Sequence, residues 1–252
     1  MTKILAITNQ KGGVGKTTTS VNLAASLATS GKRILLVDLD PQANATMGSG
    51  TNKQTVKTTV YHVLLGDAAI QAARITGTQG KYDLIPANRD LAGAEVEMVD
   101  LPQREARLKA ALEAIGHDYD YILIDCPPAL NLLTLNGLCA AHAVMIPMQC
   151  EYYALEGLSD LVNTIKRVRN NFNPTLRIEG LLRTMFDPRN ILAQQVSDQL
   201  QKHFGDKVYR TVIPRNIRLA EAPGFGLPVL YHDAQSKGAL AYLELAKEIL
   251  DA

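Results

Sequence analysis

Short runs of β-branched and aliphatic residues alternate with stretches of helical periodicity along the whole chain. Several of these runs are apolar almost throughout, which is typical of strands covered on both faces of a sheet. We predict seven strands, at Lys3–Thr8, Arg33–Asp38, Tyr82–Pro86, Tyr121–Asp125, Ala143–Met148, Ile178–Met185 and Val208–Ile213. Helical patterns lie between and after them, at Thr17–Ser30, Arg104–Ile115, Ala154–Asn171, Ile191–His203 and Ala239–Leu250.

This alternation predicts an α/β fold, a doubly wound and mostly parallel sheet with helices on both faces. No linker, repeat or low-complexity tract divides the 252 residues, so we predict a single domain over residues 1–252. The least regular stretch, Ala43–Thr59, follows the second predicted strand. Because ligands bind at the carboxyl ends of strands in this class, we expect Ala43–Thr59 to be a mobile functional loop.

A glycine-rich loop, QKGGVGKTT at residues 10–18, joins the first predicted strand to the first helix. Its glycines allow backbone N–H groups to converge on phosphate oxygens, and the helix N-terminus adds the positive end of a dipole. Lys16 can reach the β- and γ-phosphates, and the Thr17 hydroxyl can ligate Mg²⁺. The alternative is a glycine-rich turn that binds nothing. The predicted phosphate site consists of Lys11, Gly12, Gly13, Val14, Gly15, Lys16, Thr17 and Thr18.

Aspartates end two of the predicted strands. Asp38 and Asp40 end the second strand, where alternation would send both side chains to the same side. Asp125 ends the hydrophobic run Tyr121–Asp125, a Walker B pattern. Such carboxylates can hold hydrated Mg²⁺ or orient an attacking water, although they are also common caps and turn formers. We predict a metal site at Thr17, Asp40 and Asp125.

Two features of the loop are unusual, because Gln10 replaces the first glycine and Lys11 is an additional lysine. This form resembles the deviant Walker A ATPases, among them the ParA/Soj partition proteins, MinD and the nitrogenase iron protein. Further motifs narrow the resemblance to the ParA/Soj partition ATPases over nearly the whole chain. They are DLDPQANAT at 38–46, DCPP at 125–128, RTM at 183–185, IPRNIR at 213–218 and EAP at 221–223.

The resemblance implies a P-loop ATPase that binds ATP or ADP with Mg²⁺ and forms a homodimer on ATP binding. It implies catalytic roles for Lys11, Lys16, Asp40 and Asp125, with Lys11 reaching the partner's nucleotide. Pro214 and Asn216 would lie against the adenine, while Met185 stands where relatives often have Tyr. The implied partners are nonspecific double-stranded DNA and a ParB-type centromere-binding protein that stimulates hydrolysis. The implied location is the cytoplasm, on the nucleoid.

The net charge of +1, taken as a total, argues against a polyanion partner, but the charges are unevenly distributed along the chain. Residues 161–220 carry eleven basic and four acidic side chains, a net +7, so the remainder carries −6. A basic segment beside an acidic remainder predicts sequence-independent phosphate binding, unless the basic residues form only a solvated helix face. The ParA/Soj resemblance implies DNA contacts at Arg189 and Arg218, with Arg215 beside them.

Other functions that use the same glycine-rich loop receive different degrees of support from the sequence. A MinD-like membrane ATPase needs a basic amphipathic C-terminal helix, but Ala239–Ala252 has one basic residue, Lys247, against three acidic ones, so no membrane partner is expected. A redox role needs cluster-binding cysteines, and Cys126, Cys139 and Cys150 form no such motif; we expect buried core thiols in a reducing compartment. A small-molecule ligase and a partition-type ATPase that positions another cargo both remain open.

Overall fold

The computed structural model describes residues 2–251, so Met1 and Ala252 of the predicted domain lie outside the described residues. Seven strands are present, each within one residue of its predicted ends. They are β1 (Lys3–Ile7), β2 (Ile34–Asp38), β3 (Asp83–Ile85), β4 (Tyr121–Asp125), β5 (Ala143–Met148), β6 (Arg177–Phe186) and β7 (Val208–Pro214).

These strands form one sheet in the order β3-β2-β4-β1-β5-β6-β7, and every pairing within it is parallel. β1 is central, between β4 and β5, so the glycine-rich loop leaves the middle of the carboxyl edge. In the β2–β4 register Asp38 lies opposite Asp125. The predicted acidic strand ends are therefore neighbours.

Helices connect consecutive strands and follow the last one. They are α1 (Lys16–Thr29), α2 (Asn44–Gly48), α3 (Val60–Leu65), α4 (Ile70–Ala73), α5 (Leu91–Glu97), α6 (Arg107–Glu113), α7 (Leu132–Ala140), α8 (Ala154–Asn171), α9 (Ile191–Phe204), α10 (Ile217–Glu221), α11 (Val229–His232) and α12 (Lys237–Leu250). The five predicted helices correspond to α1, α6, α8, α9 and α12. The other seven were missed; most are too short to show a periodic stripe, and α7 is apolar nearly all round.

The sheet buries a hydrophobic core on each face. Leu5 and Ile7 point toward α1 and α12, whereas Ala6 between them points toward the core built by α3 and α5–α9. This alternation follows from the two-residue period of a strand. The doubly wound fold class is confirmed. No helix within residues 2–251 has the length and apolarity to cross a membrane.

The expectation of an irregular loop over Ala43–Thr59 is wrong for its first part. α2 begins at Asn44, and Thr46 is fully buried because its N–H and hydroxyl donate to Asp38 at 2.8 and 2.7 Å. The next turn is held by Ser49, whose hydroxyl lies 2.6 Å from the Tyr82 hydroxyl. These contacts fix the segment directly after β2 as ordered structure.

Candidate nucleotide site

A cavity of about 410 Å³ opens at the carboxyl edge of the sheet. It brings together distant parts of the chain, since Gly12 and Asn216, which are 204 positions apart, both line it. The predicted residues along its wall are Gly12, Gly13, Gly15, Lys16, Thr17, Thr18, Asp40, Pro214, Arg215 and Asn216. The loop, the aspartate after β2 and the segment after β7 therefore form one site.

The glycine-rich loop is held by backbone geometry and one anchor. Gly13 and Gly15 have φ values of +72° and +89°, which only glycine adopts without strain. The Thr184 hydroxyl donates to the Val14 carbonyl at 2.7 Å and ties the loop to β6. The Val14 side chain is 1% exposed, so this residue offers a nucleotide its backbone alone.

Lys16 begins α1 and is almost completely buried at the base of the cavity. Its ammonium donates to the Lys11 carbonyl at 3.1 Å. Burial lowers the pKa of Lys16 from its usual value, although nearby Asp125 and Asp40 act in the opposite direction. A buried ammonium beside loop N–H groups is suited to a polyphosphate, which would replace its lost hydration.

Asp125 lies fully buried behind the wall of the cavity. Its two carboxylate oxygens accept hydrogen bonds from the hydroxyls of Thr17 and Ser20, each at 2.8 Å. Burial, reinforced by the charge of Asp38, raises the pKa of Asp125 to about 8. This donor set fits Mg²⁺, a hard cation that prefers oxygen ligands, because Thr17 faces the cavity and Asp125 supports it.

Asp38 and Asp40 do not share one side, contrary to the strand-alternation prediction. β2 ends at Asp38, so the two-residue period does not extend to Asp40. The Asp38 carboxylate is completely buried, accepts from Thr46 and from the Asp40 N–H at 3.1 Å, and burial raises its pKa to about 6. Asp40 instead lines the cavity, with its carboxylate accepting from the Gln42 N–H at 2.9 Å.

The additional lysine does not line the cavity of its own chain. The Lys11 ammonium forms an ion pair with Glu151, and both side chains are about half exposed, at 47% and 51%. Sequence reasoning missed Glu151, because nothing local marks a contact between residues 140 positions apart.

The wall of the cavity also includes Met185, Pro214 and Asn216. The Asn216 side-chain oxygen accepts from the Arg218 N–H at 3.1 Å and caps α10. Met185 has a φ of +49°, an unusual value for a residue with a side chain. Tyr242 of α12 also lines the cavity and was not predicted.

The proposed DNA-contacting arginines are all exposed but differ in their surroundings. Arg215 borders the cavity. Arg189 is paired with Asp187 at 2.8 Å, and Arg218 with Glu221 at 2.8 Å and Asp233 at 3.3 Å. The segment charge of +7 therefore overstates the free positive charge, because two of these acids lie beyond residue 220.

Arg183, counted in the same basic segment, is not a surface cation. Its guanidinium points inward and donates to the Ser197 hydroxyl at 2.8 Å and to the Tyr209 carbonyl at 2.7 Å. Burial lowers its pKa from the usual value. Arg183 holds β6, β7 and α9 together instead of contributing to an anion-binding face.

Comparison with known proteins places this site in a family. A sequence profile described as an AAA domain matches residues 2–178. The Bacillus subtilis sporulation initiation inhibitor protein Soj is 57% identical over 249 residues, which cover 99% of this chain and 98% of that protein. The Caulobacter vibrioides chromosome partitioning protein ParA is 51% identical over 250 residues, with coverage of 98% and 94%. The chain belongs to the ParA/Soj family.

Solved structures agree with the ParA/Soj fold. A Mycobacterium smegmatis protein described as cobyrinic acid a,c-diamide synthase, solved with an ATP analogue and magnesium, is 40% identical to this chain. The two superpose with a TM-score of 0.88, covering 99% of this chain and 95% of the other. The family resemblance and the P-loop fold predicted from the sequence are both confirmed.

Proposed function

We propose that this chain is a Mg²⁺-dependent ATP hydrolase that acts as a switch in DNA segregation. In the ATP state a homodimer binds double-stranded DNA without sequence preference, and hydrolysis stimulated by a ParB-type centromere-binding protein releases it. The observation that carries this proposal is the cavity of a ParA/Soj family member in which Lys16, Thr17 and Asp40 converge. The protein works in the cytoplasm, on the nucleoid.

Nucleotide binding follows from the site chemistry. The loop N–H groups and Lys16 bind the phosphates, while Pro214 and Asn216 lie against the adenine. Thr17 and Asp125 would hold Mg²⁺, together with Asp40 on the facing wall. When bound, the ion supplies positive charge against the phosphate oxygens.

Hydrolysis needs an oriented water and charge stabilisation. Asp40 orients the water that attacks the γ-phosphorus; a P–O bond forms and the bond to the β–γ bridging oxygen breaks, giving ADP and phosphate. Lys16 stabilises the charge that spreads over the transferred group. Lys11 adds a second cation across the dimer, which requires it to leave Glu151.

DNA binding rests on Arg189, Arg215 and Arg218. All three are exposed, and arginines bind phosphates through their planar donor edges. Contacts to phosphates carry no base information, so binding is sequence-independent and weakens steeply with salt. A dimer presents two copies of this surface.

A carboxylate-activating ligase is the second candidate, because the similar M. smegmatis protein is described as an amide-forming synthase. It would use the same phosphate site but require an organic acid for turnover. Positioning of a membrane or protein cargo, as in MinD-like ATPases, is a further variant of the same ATPase engine. ADP release that depends on added DNA would indicate the segregation ATPase, whereas release that depends on an added organic acid would indicate the ligase.

The Asp40→Ala variant tests the proposal. It should bind ATP, remain dimeric by light scattering and stay on DNA, because the water is no longer oriented. The exposed carboxylate Asp160 supplies the matched control Asp160→Ala, which should turn over like the wild type. Wild-type turnover by Asp40→Ala would contradict the role of Asp40.

A further inference from the structure

Two of the three proposed DNA-contacting arginines already bind carboxylates of their own chain. At Arg189, Asp187 accepts from the backbone N–H and Nε at 3.0 Å each and from Nη2 at 2.8 Å. Both donor groups along one edge of the guanidinium are therefore occupied. This is the same planar fork that an arginine offers to a phosphate.

Arg218 is held from two directions. Its Nη1 donates to Glu221 one helical turn later at 2.8 Å, and its Nε lies 3.3 Å from Asp233, beyond α11. Arg218 lowers the pKa of Glu221, and Arg189 lowers the pKa of Asp187 to about 2, so both carboxylates remain charged at neutral pH. Arg215 has no such ion pair within residues 2–251.

Stability alone gives little reason for these pairs. The Arg189 side chain is 88% exposed, and exposed ion pairs contribute little to stability. The carboxylates affect the binding of a polyanion more than they affect folding, because a phosphate must displace the carboxylate and is then repelled by it. Each pair therefore opposes phosphate binding at the arginine it occupies.

We propose that Asp187, Glu221 and Asp233 set the affinity of the DNA surface by occupying Arg189 and Arg218 until DNA phosphates displace them. This inference rests on the proposed DNA-binding function. Low affinity per chain makes stable binding depend on the two surfaces of a dimer, since two weak sites joined together bind far more tightly than either one. The carboxylates thereby make the surface responsive to the nucleotide state.

The test measures DNA affinity of the full chain with ATP over a range of salt concentrations. The variants are Asp187→Asn and the double variant Glu221→Gln/Asp233→Asn, which removes both partners of Arg218. Asp198→Asn is the matched control, because this exposed α9 carboxylate forms no ion pair within residues 2–251 and the charge change is the same as in Asp187→Asn. Thermal unfolding verifies that each variant is folded.

Each freed arginine should tighten binding about threefold, the scale of one exposed ion pair. The slope of log affinity against log salt should steepen by up to about 0.9, because the phosphate contact of a freed arginine no longer leaves behind a carboxylate that takes up a counterion of its own. Asp198→Asn should change neither quantity appreciably. Affinities of Asp187→Asn and the double variant that match Asp198→Asn would overturn the inference. Absence of ATP-dependent DNA binding in the wild type would instead overturn the proposed function.

Discussion

The Thr17 hydroxyl donates to the Asp125 carboxylate at 2.8 Å and joins the first turn of α1 to the end of β4. Ser20, one turn further along α1, donates to the other carboxylate oxygen. These two hydrogen bonds fix the position of α1, which follows the phosphate loop, relative to β4, which carries Asp125. The oxygen atoms proposed for Mg²⁺ are preorganised by the fold.

Thr17→Val should weaken binding of Mg²⁺–ATP, because the substitution keeps the side-chain shape and removes the hydroxyl. Loss of one such group typically lowers metal affinity by about 10- to 100-fold. Calorimetric titration with ATP, with and without Mg²⁺, measures the effect. Thr17→Ser restores the hydroxyl and should restore affinity. Binding of Mg²⁺–ATP by Thr17→Val at wild-type strength would contradict the role of Thr17.

The raised pKa values of two buried aspartates predict how the stability of the metal-free protein varies with pH. Burial raises the pKa of Asp38 to about 6 and that of Asp125 to about 8, above the ordinary value of 3.8. The folded state therefore holds more protons than the unfolded state across this window, and the free energy of unfolding falls as pH rises from about 4 to 8.

Urea unfolding in a chelator at pH 5, 6.5 and 8 measures this dependence. Asp125→Asn cannot ionise, so its stability should fall less steeply than that of the wild type over the same range. The difference in slope should be largest between pH 5 and 6.5, where the folded state holds the Asp125 proton and the unfolded state does not, and should shrink as the pH approaches 8. Parallel pH profiles for the two proteins would show that the pKa of Asp125 is not raised in the folded state.

Glu151→Gln should favour the ATP-dependent dimer, because it releases Lys11 from its ion pair. The expected gain is at most about fivefold in dimer affinity, since the pair is half exposed. Sedimentation at several protein concentrations with ATP measures it. Glu156→Gln, which removes an exposed carboxylate on α8, is the control. Equal dimer affinities for the two variants would mean that Glu151 does not restrain Lys11.

Asn216 combines two roles that one substitution can separate. Asn216→Asp keeps an oxygen to cap α10, so the melting temperature should stay close to that of the wild type. It removes the NH₂ group that we propose contacts the adenine and should weaken ATP binding about tenfold, the upper scale of one lost hydrogen bond. Fluorescent-nucleotide titration checks this; undiminished affinity would exclude the contact.

The strands and the phosphate loop were predictable because their signals are local. A buried strand such as β4 is a short apolar run with its own boundaries, and the loop combines glycines, Lys16 and Thr17 within nine residues. Cys126, Cys139 and Cys150 are buried free thiols, as expected from their spacing. The single-domain prediction remains a prediction.

The features that sequence reasoning missed depend on contacts between distant segments. Asp38 supports the segment after β2 because Thr46 folds back onto it. β2 ends at Asp38, so strand alternation did not give the side on which Asp40 lies. The charge count over residues 161–220 could not include Glu221 and Asp233, although both lie against Arg218. Only the folded chain shows which charges are free.

A DNA-segregation switch should be retained on DNA in its ATP state alone, and a retention assay measures this. Two immobilised duplexes of unrelated sequence are incubated with the wild-type protein and ATP, ADP or no nucleotide, in parallel with anionic liposomes. We expect retention on both duplexes with ATP, release with ADP, and no retention on liposomes. Arg218→Glu should lose retention while light scattering still shows the dimer. Retention that is independent of nucleotide, or found on liposomes and not on DNA, would contradict a DNA-segregation switch.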